Sequence, residues 1–157
     1  MSKGRVLIDA DACPRQALLT AQALCKELDW ICLTFASYNH QIGNANHVTV
    51  DAGPQAVDMK LANETSSGDV VVTQDIGLAA LILGKRAHAL TPHGMVFDPE
   101  RIAFHLEERN EKARYRRGGG RTKGPAARTR EDDQRFAESL RFLMERGDQN
   151  ESDNEKK

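Results

Sequence analysis

Acidic residues recur where short apolar runs end. The run RVLID at 5–9 closes on Asp9, and Asp11 follows two residues later. DVVVT at 69–73 is followed by Asp75, and HVTV at 47–50 by Asp51. Asp58 lies in the stretch 55–65, one helical turn from Leu61 and Ala62, and is expected to face inward with them. Were Asp9, Asp58 and Asp75 to meet at ~4 Å, each pair would repel by about 4 kcal/mol at an effective dielectric of ~20. Three such pairs approach the whole stability of a domain, roughly 5–15 kcal/mol. A cluster of this kind takes up protons or binds a cation. An all-oxygen donor set suits Mg²⁺ or Mn²⁺ rather than zinc, and such an ion could activate water and stabilise charge on a phosphoryl group. The competing reading makes each acid a turn former or helix cap, with Asp11 capping a helix near Pro14 and Asp51 in a loop before Gly53.

A second chemistry sits further along. Between Arg109 and Arg130 the basic residues Arg109, Lys112, Arg114, Arg116, Arg117, Arg121, Lys123, Arg128 and Arg130 face the lone acid Glu111. Gly118-Gly119-Gly120 and Gly124-Pro125 make the middle of this segment a loop. A charge run of this type is ordinarily a solvated surface. Interleaved with glycines and almost free of acids, it also suits neutralisation of a nucleic-acid backbone. Other candidates are weaker. The five histidines lack HxxxH or HxH spacing, and the glycines at 118–120 lack the Lys-Ser/Thr of a P-loop. Cys13, beside Pro14 at a helix start, reads as a small packing residue or a thiol of lowered pKa.

These groups need a scaffold, and the pattern supplies one. Strands are expected at 5–9, 30–35, 47–50, 69–73 and 87–90. Helices are expected from Pro14 to Leu28 and over 55–65, 76–84, 99–114 and 131–146. Alternation at this spacing argues for a three-layer α/β domain with a mainly parallel sheet of about five strands. In such a sheet, ligands gather outside the carboxyl ends of the strands, where the acids stand. The domain is expected to span 1–146, with the basic glycine-rich segment 109–130 within it. Residues 147–157, without a large apolar side chain, form a disordered polar tail.

Bulk composition fits this picture. The 157 residues are 39% hydrophobic and 29% charged with a net charge of −1, so any affinity for a polyanion has to be local. No apolar run approaches the ~18 residues of a membrane span, and the first residues lack the apolar stretch of a secretory signal. Cys13, Cys25 and Cys32, odd in number and without CxxC spacing, favour a reducing cytoplasm over a disulfide framework.

The segments Ile8-Asp9-Ala10-Asp11-Ala12-Cys13-Pro14 and Gly68-Asp69-Val70-Val71-Val72-Thr73-Gln74-Asp75-Ile76-Gly77-Leu78-Ala79 resemble the YaiI/YqxD family of uncharacterised bacterial proteins. The turn Thr91-Pro92-His93-Gly94 and the run RGGGRTKGP at 117–125 are similar to it as well. That family in turn resembles the PIN-like and NYN-type nuclease domains, which implies a Rossmann-like fold with an acidic metal site. On that resemblance Asp9 matches the acid ending the first strand, Asp58 the acid of the central helix and Asp75 the acid after the fourth strand. Asp11 is an additional neighbour. The chain departs from the pattern at Gln55, where relatives often carry an acid.

The leading expectation is a cytoplasmic Mg²⁺- or Mn²⁺-dependent ribonuclease. Asp9, Asp58 and Asp75 would hold the ion, and Asp11 would hold a second ion or orient water. Asn39 and Thr73 would position the substrate phosphate, and Arg116, Arg117, Arg121 and Lys123 would grip the RNA backbone. One alternative is a non-catalytic RNA-binding protein of the same fold. Another is a haloacid-dehalogenase-like phosphatase using Asp9 and Asp11, although Cys13 stands where that chemistry needs Thr or Ser.

Overall fold

Strands and helices alternate along the chain in this computed structural model, which describes residues 3–37, 47–49, 54–119 and 127–155. The strands β1 (Arg5–Asp9), β2 (Ile31–Ala36), β3 (His47–Thr49), β4 (Val70–Val72) and β5 (His88–Leu90) form one sheet in the order β3-β2-β1-β4-β5. All its pairings are parallel. The helices are α1 (Arg15–Leu28), α2 (Pro54–Glu64), α3 (Ile76–Gly84), α4 (Ile102–Arg117) and α5 (Arg130–Glu155), and a 3-10 turn at Ala10–Ala12 leads out of β1.

Parallel strands buried on both faces must be apolar throughout, and VLI in β1 and VVV in β4 are. Their side chains alternate between two cores. Val6, Ile8, Val70 and Val72 pack with Leu24 of α1 and Phe136, Leu140 and Met144 of α5. Leu7, Val71 and Ala89 pack on the other face with Val57 and Leu61 of α2 and Leu78 and Ile82 of α3. The α4 helix lies against α3. The result is a three-layer Rossmann-like α/β fold.

The strand order decides where a site can form. The chain leaves β1 toward β2 and β3, then returns to place β4 on the other side of β1. That reversal opens a crevice beyond the carboxyl ends of β1 and β4. At the amino ends of the same two strands, Arg5 makes a 2.6 Å ion pair with buried Asp69, so this acid serves structure and stands apart from the others.

Two boundaries differ from the sequence expectation. The α4 helix starts later, because Asp98 turns the chain first by accepting hydrogen bonds from the Glu100 and Arg101 amides. It then runs to Arg117, so the first half of the basic segment 109–130 is helical. Arginine is a good helix former, and Arg114, Arg116 and Arg117 suit the negative end of the helix dipole. Gly118 and Gly119, the latter at φ +93°, end it. The α5 helix continues to Glu155, into the stretch expected to be a disordered tail. Extending a formed helix costs little per residue, and only Gly147 there opposes it strongly.

Candidate active site

Asp9 ends β1 with 9% of its surface exposed. Burial, with the charges of Asp11 and Asp75 added, pushes its carboxyl up to about 6, against the opposing effect of a hydrogen bond from Thr73. Asp75 follows β4 and caps α3, its Oδ1 accepting from the amides of Gly77 at 2.8 Å and Leu78 at 3.2 Å. Asp58 reaches the same place from α2. Its carboxyl is pushed up to about 7 by burial, by a hydrogen bond with Asp75 and by the charges of Asp75 and Asp9. A hydrogen bond between two carboxyl groups requires a proton between them. The crowding expected of these acids raises the proton affinity of Asp9 and Asp58.

Thr73 is 1% exposed, and its hydroxyl is committed to both acids. It accepts from the Asp75 amide at 3.0 Å and bonds to the Asp9 carboxyl. The hydroxyl expected to position a substrate phosphate thus lies buried between two acids, where it orients them. Asp11 sits in the 3-10 turn, and its Oδ2 accepts from the Ser37 amide at 2.8 Å and the Ser37 hydroxyl at 2.7 Å. It ties the exit of β1 to the exit of β2 and raises the proton affinity of Asp9 from there. Asn39, Asp51, Arg121 and Lys123 lie outside the described residues.

Asp58 and Asp75 line an open cleft of about 370 Å³ together with Met59, Leu81 and Arg109. Arg109 approaches Asp75 with its Nη1 3.8 Å from Oδ1. Gly77 makes room for it, since a Cβ there would lie 3.2 Å from that same nitrogen. Arg109 also lines a neighbouring groove of about 670 Å³ with Arg116 and Arg117, which share its face of α4 at i+7 and i+8. The acid pair and the arginine groove therefore meet at one side chain. Sequence reasoning counted Arg109 in the basic run but missed its role. The signal was present in the helical spacing of 109, 113, 116 and 117, once the helix expected over 99–114 is carried on to Arg117.

Among the described residues, no group of three His, Cys, Asp or Glu side chains is disposed to hold a metal ion. The donors that do come together are the hydrogen-bonded pair Asp58 and Asp75, with Asp9 near enough to feel both. Two hard carboxylates fit Mg²⁺, which keeps several waters and commonly takes one or two carboxylates plus substrate phosphate. The thiols are not part of this chemistry. Burial pushes Cys13 up to about 12, which excludes a reactive thiolate and leaves the packing role. Cys25 donates a hydrogen bond to Cys32 inside the core, lowering the latter.

Among the described residues, no helix is long and apolar enough to cross a membrane. The family model described as "Uncharacterized BCR, YaiI/YqxD family" matches residues 7–146. A UPF0178 protein of Heliobacterium modesticaldum is 51% identical over 140 residues, covering 89% of this chain and 96% of its own. A UPF0178 protein of Clostridium kluyveri is 42% identical over 146 residues, covering 91% and 94%. One of Exiguobacterium sibiricum is 41% identical over 145 residues, covering 92% and 99%. No solved structure matches.

Proposed function

The chain belongs to the YaiI/YqxD family, and for this member we propose Mg²⁺- or Mn²⁺-dependent hydrolysis of phosphodiester bonds in RNA, carried out in the cytoplasm. The observation that carries the reading is the continuity of the two surfaces. The cleft holding Asp58 and Asp75 passes through Arg109 into the groove of Arg116 and Arg117. A phosphodiester backbone laid along the arginines would bring one phosphate to the acid pair.

The roles follow from the side chains. Arg109, Arg116 and Arg117 neutralise successive phosphates, Arg109 being nearest the acids. Asp58 and Asp75 would hold the divalent ion, which supplies charge neutralisation at the phosphoryl oxygens and a more acidic water. Holding the ion requires both carboxyls deprotonated, so Asp58 would give up the proton it takes near neutrality when the ion binds. Thr73 and Asp9 fix the position and charge of this pair from within the fold.

The direct test is incubation of a 5′-labelled single-stranded RNA with the protein in Mn²⁺, in Mg²⁺ and in EDTA. Metal-dependent fragments that disappear in Asp75→Asn support the reading, and intact RNA in every condition defeats it. Arg109→Ala and Arg116→Ala are each expected to weaken RNA binding. Each should also flatten the log Kd against log salt slope by about 0.7 per phosphate contact removed, as for a single strand. An unchanged slope would take the groove out of the RNA path.

One observation favours a second reading, a non-catalytic RNA-binding protein: no three-ligand group stands among the described residues. That reading keeps the salt dependence and expects no turnover with either metal.

A further inference from the structure

The cleft is not walled by charge alone. Met59 is 67% exposed and Leu81 is 61% exposed, and both line the cleft that holds Asp58, Asp75 and Arg109. They come from different helices, α2 and α3, so their meeting is a product of packing. The core beneath does not need them. Val57, Leu61, Leu78 and Ile82 close that face of the sheet with 3% exposure or less. Met59 and Leu81 are therefore large apolar side chains left in water beside an arginine that leads into a basic groove.

Resting on the nuclease reading, we propose that Met59 and Leu81 form the seat for the face of one unpaired nucleobase, next to the phosphate held by Arg109. The charge arrangement selects this occupant. An apolar peptide or a second copy of the chain would use the two side chains but leave the adjoining arginines without a purpose. A nucleotide carries both complements on one unit, a flat base with weakly polar faces and a phosphate. In a duplex each base has its faces stacked against its neighbours, so only an unpaired base can present one. Methionine suits the task, because its flexible, polarisable thioether adapts to bases of different outline. The site should then prefer single strands and discriminate little among bases.

The experiment measures binding by fluorescence anisotropy in EDTA, where nothing is cleaved. The probes are a labelled unstructured oligoribonucleotide, its blunt duplex, and the same strand carrying abasic residues. The proteins are the wild type and the double variant Met59→Gln, Leu81→Gln, both at exposed positions that the core does not rely on. The wild type is expected to bind the intact strand about 10-fold more tightly than the abasic strand or the duplex, and the double variant to lose that preference. Affinity for the abasic strand should be the same in both proteins, which a general loss of fold would not allow. Equal wild-type affinity for intact and abasic strands overturns the seat while leaving RNA binding in place. A double variant that keeps the preference does the same. Sedimentation showing a wild-type dimer that the double variant abolishes would assign the apolar pair to self-association and overturn the seat as well. Failure of the wild type to bind any probe would overturn the RNA reading, and this inference with it.

Discussion

Asp9→Asn is expected to abolish metal-dependent RNA cleavage and, at the same time, to make the protein more stable at pH 8. The first effect follows because Asp9 sets the position and charge of the Asp58–Asp75 pair, and a loss of about 10²-fold or more fits misplacement of the groups that would hold the ion. The second follows from linkage. The Asp9 carboxyl titrates at about 6 in the folded protein against an ordinary value of 3.8. Between those values the folded state holds a proton that the unfolded state has lost, so stability falls as pH rises through this window. The difference of about 2 units corresponds to about 3 kcal/mol, absent below pH 4 and fully expressed above pH 7. Asparagine keeps the shape and can still accept the Thr73 hydrogen bond, but it has no charge to desolvate. The variant should match the wild type near pH 4 and melt roughly 6–12 °C higher at pH 8. Thermal melts at the two pH values, paired with the cleavage assay, check both halves. Undiminished cleavage removes Asp9 from the site, and identical melting at pH 8 contradicts a buried, crowded carboxyl at Asp9.

Gly94→Ala should be among the most damaging single-methyl changes available in this fold. Gly94 lies at φ +91°, and a Cβ there would stand 2.6 Å from the Arg135 carbonyl carbon and 2.8 Å from the Phe136 nitrogen. Those atoms are helix backbone, which cannot rotate away. The contact is held on both sides, with the Ser139 hydroxyl donating to the Gly94 carbonyl at 2.7 Å and Arg128 Nη1 to the Pro92 carbonyl at 2.7 Å. Displacing α5 here would draw Phe136, Leu140 and Met144 out of the core. A destabilisation of about 3–5 kcal/mol is expected, combining left-handed strain with loss of packing. Gly68→Ala provides the control, since Gly68 has φ +87° and nothing within 4 Å of its virtual Cβ. It should cost only about 1–2 kcal/mol, the conformational part alone. Urea unfolding of the two variants separates the terms. Equal costs would mean that α5 does not rest on the Thr91–Gly94 turn.

That turn illustrates how a sequence motif can be visible before its purpose is. The run Thr91-Pro92-His93-Gly94 stands out in the chain, yet nothing local says that its glycine carries the backbone of a helix more than thirty residues away. The same division runs through the site. The order of strands and helices, the parallel sheet and the positions of Asp9 and Asp75 at strand ends were legible from the residues. They depend on side-chain period and turn residues within a few positions, which are local properties. The inward side of α2 was legible for the same reason, and Asp58 lies half-buried at its margin, as its spacing to Leu61 suggested. Helix ends were less so: the helix expected over 99–114 runs from Ile102 to Arg117, because Asp98 turns the chain before it and the glycines after Arg117, not Arg114, end it.

Tertiary structure alone decided which of these groups would meet. Sheet order put β4 beside β1, and with it Thr73 between Asp9 and Asp75, a use of its hydroxyl that no neighbour in the chain specifies. The docking of α4 on α3 carried Arg109 to Asp75 across the gap left by Gly77. It also joined an acidic cleft to a basic groove. Periodicity records which face of an element is buried. The partner it is buried against is chosen by the free energy of the whole assembled core, to which every element contributes and which no single stretch of sequence contains.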